Sequence, residues 1–488
     1  MRSRFTTRPR TALLAALLLV VSAVGAPPPN VLFIAIDDLR MNLGCFGDPV
    51  ALTPNIDRLA ARGIRFSRTY CQQAVCNPSR QSLLTGRRPD TLRVWNLTTH
   101  FRSTLPEAVT LPAYFKQQGY FAQSFGKIFH GEPPMADPPS WSVPEQFEYV
   151  AKRDDYQLEE NRRPGATQKA AATEFVDAPD DNYPDGRVAA GAVAALGRLA
   201  AAERPQPFFL AVGFMKPHLP FTAPKRYWDL YEHAPLPPPE PAAAPTDAPP
   251  AALHKSTELR GYSDMPRQGA FTAEQIARLR RGYYAATSFT DAQIGRVLAE
   301  LERTGLARNT IVVLWSDNGF HLGEFGLWAK TTNYENDTRV PLIIARPAEP
   351  HAGATTTALT ELLDLYPTLT DLCGLPTPAV LEGRSLRPWL DAPTAPSRPA
   401  AFSQFPRPWV YRGKPDLMGY TVRTATHRYV EWRRFGAAEV VARELYAYDG
   451  DRLYETTNLA ARPEHASLMG QLAALLPPVP LAQPSSKP

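Results

Sequence analysis

The chain has 488 residues, of which 44% are hydrophobic and 21% are charged, and its formal net charge is +5 at pH 7. This length suits one large α/β domain with a smaller one, and the composition is that of a globular protein. Because no run of lysine and arginine is interleaved with aromatic residues, the sequence argues against a nucleic-acid partner. A mildly basic chain can still favour an anionic substrate by electrostatic steering.

The first 26 residues have the pattern of a secretory signal peptide. Several arginines precede an apolar run from Ala12 to Val21, and small residues follow it up to Ala26. The run is short for a membrane span, so we predict cleavage between Ala23 and Ala26 and an exported protein, secreted or periplasmic. An uncleaved anchor is the alternative. After cleavage we expect no stable membrane association, since no second apolar run is long enough to cross a bilayer.

The first predicted strand covers residues 30–36, and two carboxylates follow it. The run is continuously apolar, as expected for a buried strand of a parallel sheet, and Asp37 and Asp38 come directly after it. Ligands of open α/β sheets bind at the carboxyl ends of the strands. Two adjacent carboxylates repel each other there unless a cation lies between them, so this pair predicts a metal site.

The stretch from Cys76 to Arg80, Cys-Asn-Pro-Ser-Arg, is the most distinctive of the chain. Pro78 suits the first turn of a helix and Gly86 its end, so Cys76 is predicted to lie just ahead of a helix N-terminus. The helix dipole and the free amide groups favour an anion there, and Arg80 adds a positive charge one turn further on. A buried, inert cysteine is the alternative interpretation.

Two more predicted strands carry basic residues at their ends. Residues 119–125 are followed by Lys127 and His130, and the fully apolar run 207–214 is followed by His218. At the ends of neighbouring strands, these three side chains become candidates to bind the anion of a substrate. Each of them alone would be an ordinary surface residue.

A further buried strand, residues 310–315, precedes a second pair of oxygen donors. The pair is Asp317 and Asn318, and Lys330 follows beyond a glycine-punctuated loop. With the first carboxylate pair, these side chains give a set of oxygen ligands from two strand ends. Oxygen ligands without imidazole or thiolate suit Ca²⁺ or Mg²⁺ rather than Zn²⁺, and a flexible, multidentate set favours Ca²⁺.

The rest of the chain divides into helices, long loops and a C-terminal region of different character. A change near residue 395 to short strands with polar faces predicts a small antiparallel sheet with a terminal helix near 463–475. We therefore expect a catalytic domain over residues 27–394 and a subdomain over residues 395–488. Helices are predicted for 188–202 and 357–373, one long helix or two for 272–304, and proline-rich loops for 131–187 and 234–252.

The order and spacing of these motifs resemble those of the type I sulfatases. The resemblance implies the α/β alkaline-phosphatase-like sandwich, with a large central, mostly parallel sheet and a smaller C-terminal α+β subdomain that contains an antiparallel sheet. It also implies one Ca²⁺ per chain. The motifs that carry it, besides Cys76–Arg80, are Asp37-Asp38, Gly126-Lys127, Lys216-Pro217-His218, Asp317-Asn318-Gly319 and Trp328-Ala329-Lys330. The metal ligands carried over are Asp37, Asp38, Cys76, Asp317 and Asn318.

In that family the cysteine is oxidised after synthesis to formylglycine (3-oxoalanine), which works as its hydrate. The resemblance implies that a formylglycine-generating enzyme modifies Cys76 during maturation. One hydroxyl of the hydrate attacks sulfur, and the other loses its proton so that the sulfate leaves; a plain serine would stay sulfated. The catalytic residues carried over are Cys76, Arg80, Lys127, His130, His218 and Lys330.

The roles of these residues follow from the charge of a sulfate monoester. Lys127 and Lys330 would spread that charge together with Ca²⁺, while Arg80 would orient the hydrate. Either His218 or Lys330 would give a proton to the leaving alcohol, and Asp317 could act as a base. His130 would serve the second step or bind sulfate, and the sequence does not separate these roles.

The resemblance thus implies a Ca²⁺-dependent sulfuric ester hydrolase that acts on a sulfated saccharide. The expected substrate is a 2-sulfated uronic acid unit of a glycosaminoglycan or of another sulfated polysaccharide. One alternative is a phosphonate or phosphodiester hydrolase of the same superfamily. A second alternative is a catalytically silent, secreted sugar-binding protein.

Four cysteines limit the disulfide chemistry of the chain. If Cys76 is modified, Cys45, Cys71 and Cys373 remain, so at most one disulfide can form. The spacing does not decide whether Cys45 and Cys71 pair.

Overall fold

The computed structural model describes most of the chain, and the signal-peptide prediction for residues 1–26 lies outside the described residues. The described ranges are 27–131, 134–147, 155–162, 169–203, 206–409, 413–450 and 454–477. The strands are β1 (Asn30–Ile36), β2 (Ile64–Tyr70), β3 (Phe121–Gly126), β4 (Thr173–Val176), β5 (Phe208–Phe214), β6 (Phe221–Pro224), β7 (Thr310–Ser316), β8 (His321–Leu322), β9 (Trp328–Ala329), β10 (Arg339–Ala345), β11 (Thr355–Thr356), β12 (Thr360–Glu361), β13 (Ala401–Arg407), β14 (Leu417–Arg423), β15 (His427–Arg434) and β16 (Val440–Ala447). The α-helices are α1 (Pro54–Arg62), α2 (Cys76–Thr85), α3 (Pro89–Leu92), α4 (Leu111–Gln117), α5 (Pro184–Ala200), α6 (Lys225–Asp229), α7 (Thr257–Arg260), α8 (Ala273–Arg303), α9 (Glu335–Thr338), α10 (Leu365–Leu372), α11 (Arg387–Asp391) and α12 (Ala466–Ala473).

The central sheet has eight strands and is mostly parallel, as predicted. Its order is β11-β2-β10-β7-β1-β5-β3, with β12 beside β2. The block β7-β1-β5-β3 is parallel throughout, whereas β10 runs antiparallel to both β7 and β2. All carboxyl ends of the parallel block therefore lie at one edge of the sheet, where ligands of such sheets bind.

Burial on both faces explains why the central strands read as continuous apolar runs. Every residue of β1, β5 and β7 is buried. On one face Phe33 packs in a cluster with residues of α2, α4 and α10, and on the other Ile34 packs with residues of α1, α5 and α8. Helices thus cover both faces of the sheet, which makes the three-layer sandwich that was predicted.

The long helix α8 confirms the prediction for residues 272–304, and it also supports the site. Thr272 caps it, with its side chain accepting from the Gln275 backbone N–H and the Gln275 side chain accepting in return. From the middle of α8, the Tyr283 hydroxyl donates to the Asp38 carbonyl at 2.8 Å and accepts from the Arg40 N–H at 2.9 Å. The helix therefore fixes the turn that follows β1.

The C-terminal region forms the predicted antiparallel sheet, in the order β13-β14-β15-β16, with α12 packed against it. It is attached to the segment before α2: Ser403 Oγ donates to the Cys71 carbonyl at 2.6 Å, and the Gln404 N–H donates to the Gln72 carbonyl at 2.8 Å. The boundary at residue 395 stays a prediction.

The structure corrects one predicted helix and answers whether two of the cysteines pair. Residues 357–373 are not one helix. Glu361 lies in β12 beside β2, and its carboxylate accepts hydrogen bonds from Arg88 and from the Phe402 N–H. The α-helix therefore forms only over Leu365–Leu372.

All four cysteines have free thiols, so Cys45 and Cys71 do not pair. Within the described ranges, no helix is both long and apolar enough to span a bilayer.

Glu444 of β16 makes the stability of the chain depend on pH. It is buried and accepts hydrogen bonds from Trp432 Nε1 at 2.7 Å and from the Tyr446 hydroxyl at 2.6 Å. Burial raises the pKa of Glu444 to about 7 despite these bonds, against an ordinary value of 4.5. Since the folded state holds this proton more tightly, its contribution is full below about pH 4.5 and is lost as pH rises through 7.

Between about pH 4.5 and pH 7, the titration of Glu444 should lower the free energy of unfolding of the wild type by about 3 kcal/mol as the pH rises. We expect Glu444→Gln to lack this change. Urea unfolding at pH 5 and pH 8 measures it: the variant should match the wild type at pH 5 and exceed it at pH 8. The exposed Glu302→Gln is the control and should follow the wild type at both values. Equal destabilisation of Glu444→Gln at both values would contradict the prediction.

Candidate active site

Four neighbouring strands deliver the predicted polar residues to one edge of the sheet. Because β7, β1, β5 and β3 are adjacent and parallel, residues that follow their last positions lie side by side. The structure thus brings together groups that are up to about 280 residues apart in sequence, which the contact between Asn318 and Asp38 illustrates. The groups are Asp37 and Asp38 after β1, Lys127 after β3, His218 after β5, and Asp317 and Asn318 after β7.

The helix α2 brings Cys76 to the same edge. Cys76 is the first residue of α2, and Val75 caps the helix in extended conformation. The prediction that Cys76 lies just ahead of the helix is therefore wrong by one residue, while Pro78 lies in the first turn as predicted. The Ser79 hydroxyl donates to the Asp317 carbonyl at 2.5 Å, which joins the helix N-terminus to the end of β7. Cys76 is buried, with 2% of its surface exposed.

Arg80 links three of these elements. Its Nε donates to Asp317 at 2.6 Å, its Nη2 to Asp37 at 3.2 Å, and its Nη1 to the carbonyls of Lys127 and Ile128. The guanidinium is fully buried and lies over the Trp315 ring at 5.6 Å. Since four hydrogen bonds hold it within the protein, Arg80 is placed to orient its neighbours.

Three carboxylates meet at the centre of the site. Asp37, Asp38 and Asp317 each offer an oxygen, and the three oxygens lie within 4.8 Å of one another. The Asp38 backbone has a left-handed φ of 62°, and its N–H donates to Asp317 Oδ1 at 3.1 Å. The turn that follows β1 therefore brings the Asp38 backbone against Asp317 at the end of β7.

Burial makes this cluster electrostatically costly without a cation. Burial raises the pKa of Asp38 to about 8, in spite of the opposing charge of Lys330, and raises the pKa of Asp317 to about 6. For Asp37, burial is outweighed by Lys127 and Arg80, which hold the pKa well below its ordinary value. Only a further positive charge would keep all three carboxylates ionised together.

The second oxygen-donor pair supplies an acceptor that is still available. Asn318 Nδ2 donates to Asp38 Oδ1 and to the Gly319 carbonyl, both at 2.8 Å. Its Oδ1 is buried and accepts no hydrogen bond from the described residues. A buried amide oxygen beside three carboxylates is the environment expected around a hard divalent cation.

Two lysines flank the carboxylates and stay charged. Lys127 Nζ donates to Asp37 at 2.6 Å, and Lys330 Nζ donates to Asp38 at 2.7 Å. Burial opposes their charge, but Asp37 raises the pKa of Lys127, and Asp38 raises the pKa of Lys330 well above its ordinary value. Each ammonium has donors left for a substrate anion.

The two candidate histidines are neutral. His218 Nδ1 donates to the Leu219 carbonyl, so its Nε2 faces the site at 3.7 Å from Asp38 Oδ2. Burial lowers the pKa of His218 to about 3. Burial and the charge of Lys127 lower the pKa of His130 well below its ordinary value. The Nδ1 of His130 is also buried, without a hydrogen-bond partner among the described residues.

One residue of the site, Glu258, was not predicted. It lies on α7, and its Oε1 is 3.1 Å from Lys330 Nζ and 3.4 Å from His218 Nε2. It belongs to the segment between residues 253 and 271, which has no long apolar run or regular period. No sequence signal could therefore place it, apart from its being an acidic residue in a long excursion after β6.

The fold and this site define an alkaline-phosphatase-like hydrolase. The family model for sulfatases matches residues 29–375, and the model for the C-terminal part of N-sulphoglucosamine sulphohydrolase matches residues 323–479. The chain belongs to the sulfatase family, and it is a sulfuric ester hydrolase. The enzyme interpretation is confirmed.

Among relatives, the chain is similar to iduronate 2-sulfatases. The iduronate 2-sulfatase of Homo sapiens is 35% identical in an alignment 506 residues long, which covers 87% of this chain and 90% of the relative. That of Mus musculus is 34% identical over 525 residues, covering 91% and 93%. Several short stretches of the sequence predict this particular similarity, and the comparison confirms it. They are Gln72-Gln73-Ala74-Val75, Thr85-Gly86-Arg87-Arg88-Pro89-Asp90-Thr91, Gly126-Lys127-Ile128-Phe129-His130, Lys216-Pro217-His218-Leu219-Pro220-Phe221, Gln404-Phe405-Pro406-Arg407-Pro408 and Met418-Gly419-Tyr420.

Solved structures share the architecture. The phosphonate monoester hydrolase of Silicibacter pomeroyi superposes with a TM-score of 0.74 at 25% identity and covers 91% of this chain and 94% of its own. A protein solved in complex with its substrate D-glucosamine-2-N,6-O-disulfate superposes with a TM-score of 0.71 at 24% identity, covering 92% and 97%. The second likeness concerns the fold alone.

Proposed function

We propose that this sulfatase removes sulfate from a sulfated sugar, using formylglycine formed from Cys76 and one Ca²⁺ held by oxygen ligands. The observation that carries the proposal is the buried meeting of three carboxylates, Asp37, Asp38 and Asp317, with Cys76. One oxygen of Asp37, the Cys76 sulfur and a nitrogen of His218 lie within 4.8 Å of one another. The nucleophile position therefore adjoins the ligand set.

The ligand set fits a hard divalent ion. It contains three carboxylates and the Oδ1 of Asn318, which has no hydrogen-bond donor in the part of the chain that the structure describes, with oxidised Cys76 as a further oxygen donor. No thiolate or imidazole is needed among the ligands, which favours Ca²⁺ over Zn²⁺. When bound, the ion would polarise a sulfate oxygen and neutralise part of its charge.

The state of the Cys76 thiol argues against the thiol itself as the nucleophile. Burial raises the pKa of Cys76 well above its ordinary value, and Asp37 adds to this shift. Cysteines that act directly as nucleophiles have lowered pKa values, in electropositive and partly exposed surroundings. Formylglycine, as its hydrate, would supply hydroxyl groups at this position instead. A formylglycine-generating enzyme is therefore the expected partner during maturation.

The remaining residues bind, orient and supply protons. Lys127 and Lys330 each donate to a carboxylate of the site, Asp37 and Asp38, and would bind the sulfate oxygens. Arg80 holds Asp37 and Asp317 in place rather than contacting substrate. For the leaving oxygen, Lys330 carries a proton, whereas His218 is neutral and presents Nε2 as an acceptor. His130, whose Nδ1 accepts or donates no hydrogen bond among the described residues, would bind sulfate or accept a proton in the second half of the reaction.

For the substrate we propose a 2-sulfated uronic acid unit of a glycosaminoglycan or of a similar sulfated polysaccharide. The support is the similarity to iduronate 2-sulfatases at 34% and 35% identity over most of both chains. We also propose that the protein is exported, secreted or periplasmic, on the pattern of residues 1–26.

Release of free sulfate from a panel of defined sulfated disaccharides tests the proposal. The panel should contain 2-sulfated iduronate and glucuronate units and their isomers with sulfate at other positions. We expect the matured enzyme to prefer a 2-sulfated uronic acid at the non-reducing end by at least about tenfold in kcat/KM. A preference for sulfate on the amino sugar would overturn the substrate proposal.

The likeness to a phosphonate monoester hydrolase favours a second candidate function, and the same preparation decides between the two. Phenyl phosphonate esters should be turned over more slowly than an aryl sulfate with the same leaving group. Faster phosphonate hydrolysis would favour the second candidate.

A further inference from the structure

Glu258 enters the site from outside the set of strand ends. It lies on the short helix α7, with about a fifth of its side-chain surface exposed (19%). Its Oε1 contacts Lys330 Nζ at 3.1 Å and His218 Nε2 at 3.4 Å, and both of these groups also face Asp38. The carboxylate is thus a near neighbour of the ion site, although it is not one of the three clustered aspartates.

Glu258 is ionised at neutral pH. Burial disfavours its charge, but the adjacent ammonium of Lys330 outweighs burial and holds the pKa of Glu258 at about 2. Lys169 Nζ donates to the backbone carbonyl of Glu258 at 3.3 Å. A permanent negative charge therefore lies beside Lys330, which reaches the substrate anion in the proposed function.

The charges of the site can be counted. Ion pairs join seven charged side chains at the site, of which four are carboxylates and three are cations. With a divalent ion the set carries one net positive charge. The carboxylates are Asp37, Asp38, Asp317 and Glu258, and the cations are Arg80, Lys127 and Lys330.

The net charge of the site with its ion balances the charge of a sulfate monoester but not that of a phosphate monoester. A sulfate monoester carries one negative charge, which makes the occupied site neutral. A phosphate monoester carries close to two negative charges above its second pKa of about 6, which leaves the occupied site negative. Burying an unbalanced charge is costly, so the balance favours monoanionic esters.

We propose that Glu258 is a specificity-determining residue, whose negative charge selects monoanionic sulfate esters and rejects dianionic phosphate monoesters. The inference rests on the proposed function, including its divalent ion. Of the four carboxylates, Glu258 is the one whose charge can be removed without altering the clustered aspartates. A dianion in the site is repelled by Glu258 twice as strongly as a monoanion.

Glu258→Gln and Glu258→Asp test the proposal. The substrates are 4-nitrophenyl sulfate and 4-nitrophenyl phosphate, which have the same leaving group. For Glu258→Gln we expect the ratio of the two kcat/KM values to move toward phosphate by about tenfold or more. Glu258→Asp keeps the charge, so it should keep the wild-type ratio even if its rates fall. Glu302→Gln, which removes one charge at the exposed end of α8, should leave both rates unchanged.

A binding measurement gives a second readout that needs no turnover. In Cys76→Ala with Ca²⁺ added, isothermal titration calorimetry with the same two esters should show that Glu258→Gln tightens the phosphate ester relative to the sulfate ester. An equal loss of affinity for both esters in Glu258→Gln would show that Glu258 only positions Lys330, and would overturn the proposal. The same shift in Glu258→Asp as in Glu258→Gln would also overturn it. If the wild type releases no sulfate, the proposed function fails, and the calorimetry still decides the role of Glu258.

Discussion

Replacing Cys76 by alanine is expected to abolish sulfate release, lowering kcat by at least roughly a thousandfold. Cys76 is the residue of α2 that adjoins both the carboxylate cluster and His218, and alanine cannot be oxidised to an aldehyde. Alanine removes only the sulfur, so circular dichroism and thermal unfolding should stay close to those of the wild type. Free sulfate from an aryl sulfate is the measurement. A variant that releases as much sulfate as the wild type would exclude the proposed nucleophile.

Cys76→Ser gives a sharper version of the same test. A serine hydroxyl can attack sulfur once, but it has no second hydroxyl to expel the sulfate. We expect the peptide that contains residue 76 to gain the mass of one sulfate group and the enzyme to stop there. The control is Cys45→Ala, a half-buried thiol outside the site, which should remain active. In the wild type, the same peptide should carry the aldehyde.

The strand ends of the site were predictable from the sequence because each has a local signal. Fully buried parallel strands read as continuous apolar runs, and β1, β5 and β7 are buried at every position. The polar residues that follow such runs must lie at one edge of the sheet if the strands are parallel. Asp37 and Asp317 could therefore be placed together although the sequence alone gives no distance between them.

Glu258 and the C-terminal attachments could not be predicted in this way. Glu258 lies on a helix of four residues, and its contact with Lys330 joins positions 72 residues apart. Likewise, Arg407 of β13 donates to the carbonyl of Thr331, next to Lys330, across 76 residues. These contacts depend on how loops return to the sheet, and loops have no hydrophobic period that fixes their course.

A similar reason explains the failure at residues 357–373. Their apolar pattern favours a helix, but Glu361 is drawn into an extended strand by its bonds to Arg88 and Arg398 and by pairing with β2. Tertiary contacts thus override local propensity at this end of the element. The helix forms where those contacts stop, from Leu365 onward.

Replacing Asp317 by asparagine is expected to abolish Ca²⁺ binding and to lower sulfatase activity by roughly a thousandfold. Asparagine has the shape of aspartate, but it removes one of three carboxylate charges from a fully buried cluster. The loss also unpairs the Nε of Arg80, now 2.6 Å from the carboxylate. Without the charge of Asp317, Asp38 at the end of the neighbouring strand β1 would supply too little negative charge to displace the water bound to the ion.

Calcium content and thermal stability measure this loss independently of turnover. The wild type, after treatment with EDTA, should regain about one Ca²⁺ per chain, and its unfolding temperature should rise with Ca²⁺ concentration, because ligand binding to the folded state stabilises it. Asp317→Asn should show neither effect. Asp181→Asn, an exposed carboxylate beside Arg296, is the matched control and should behave as the wild type. If Asp317→Asn binds Ca²⁺ as tightly as the wild type, the ion lies elsewhere, and the oxygen ligands at the ends of β1 and β7 have another purpose.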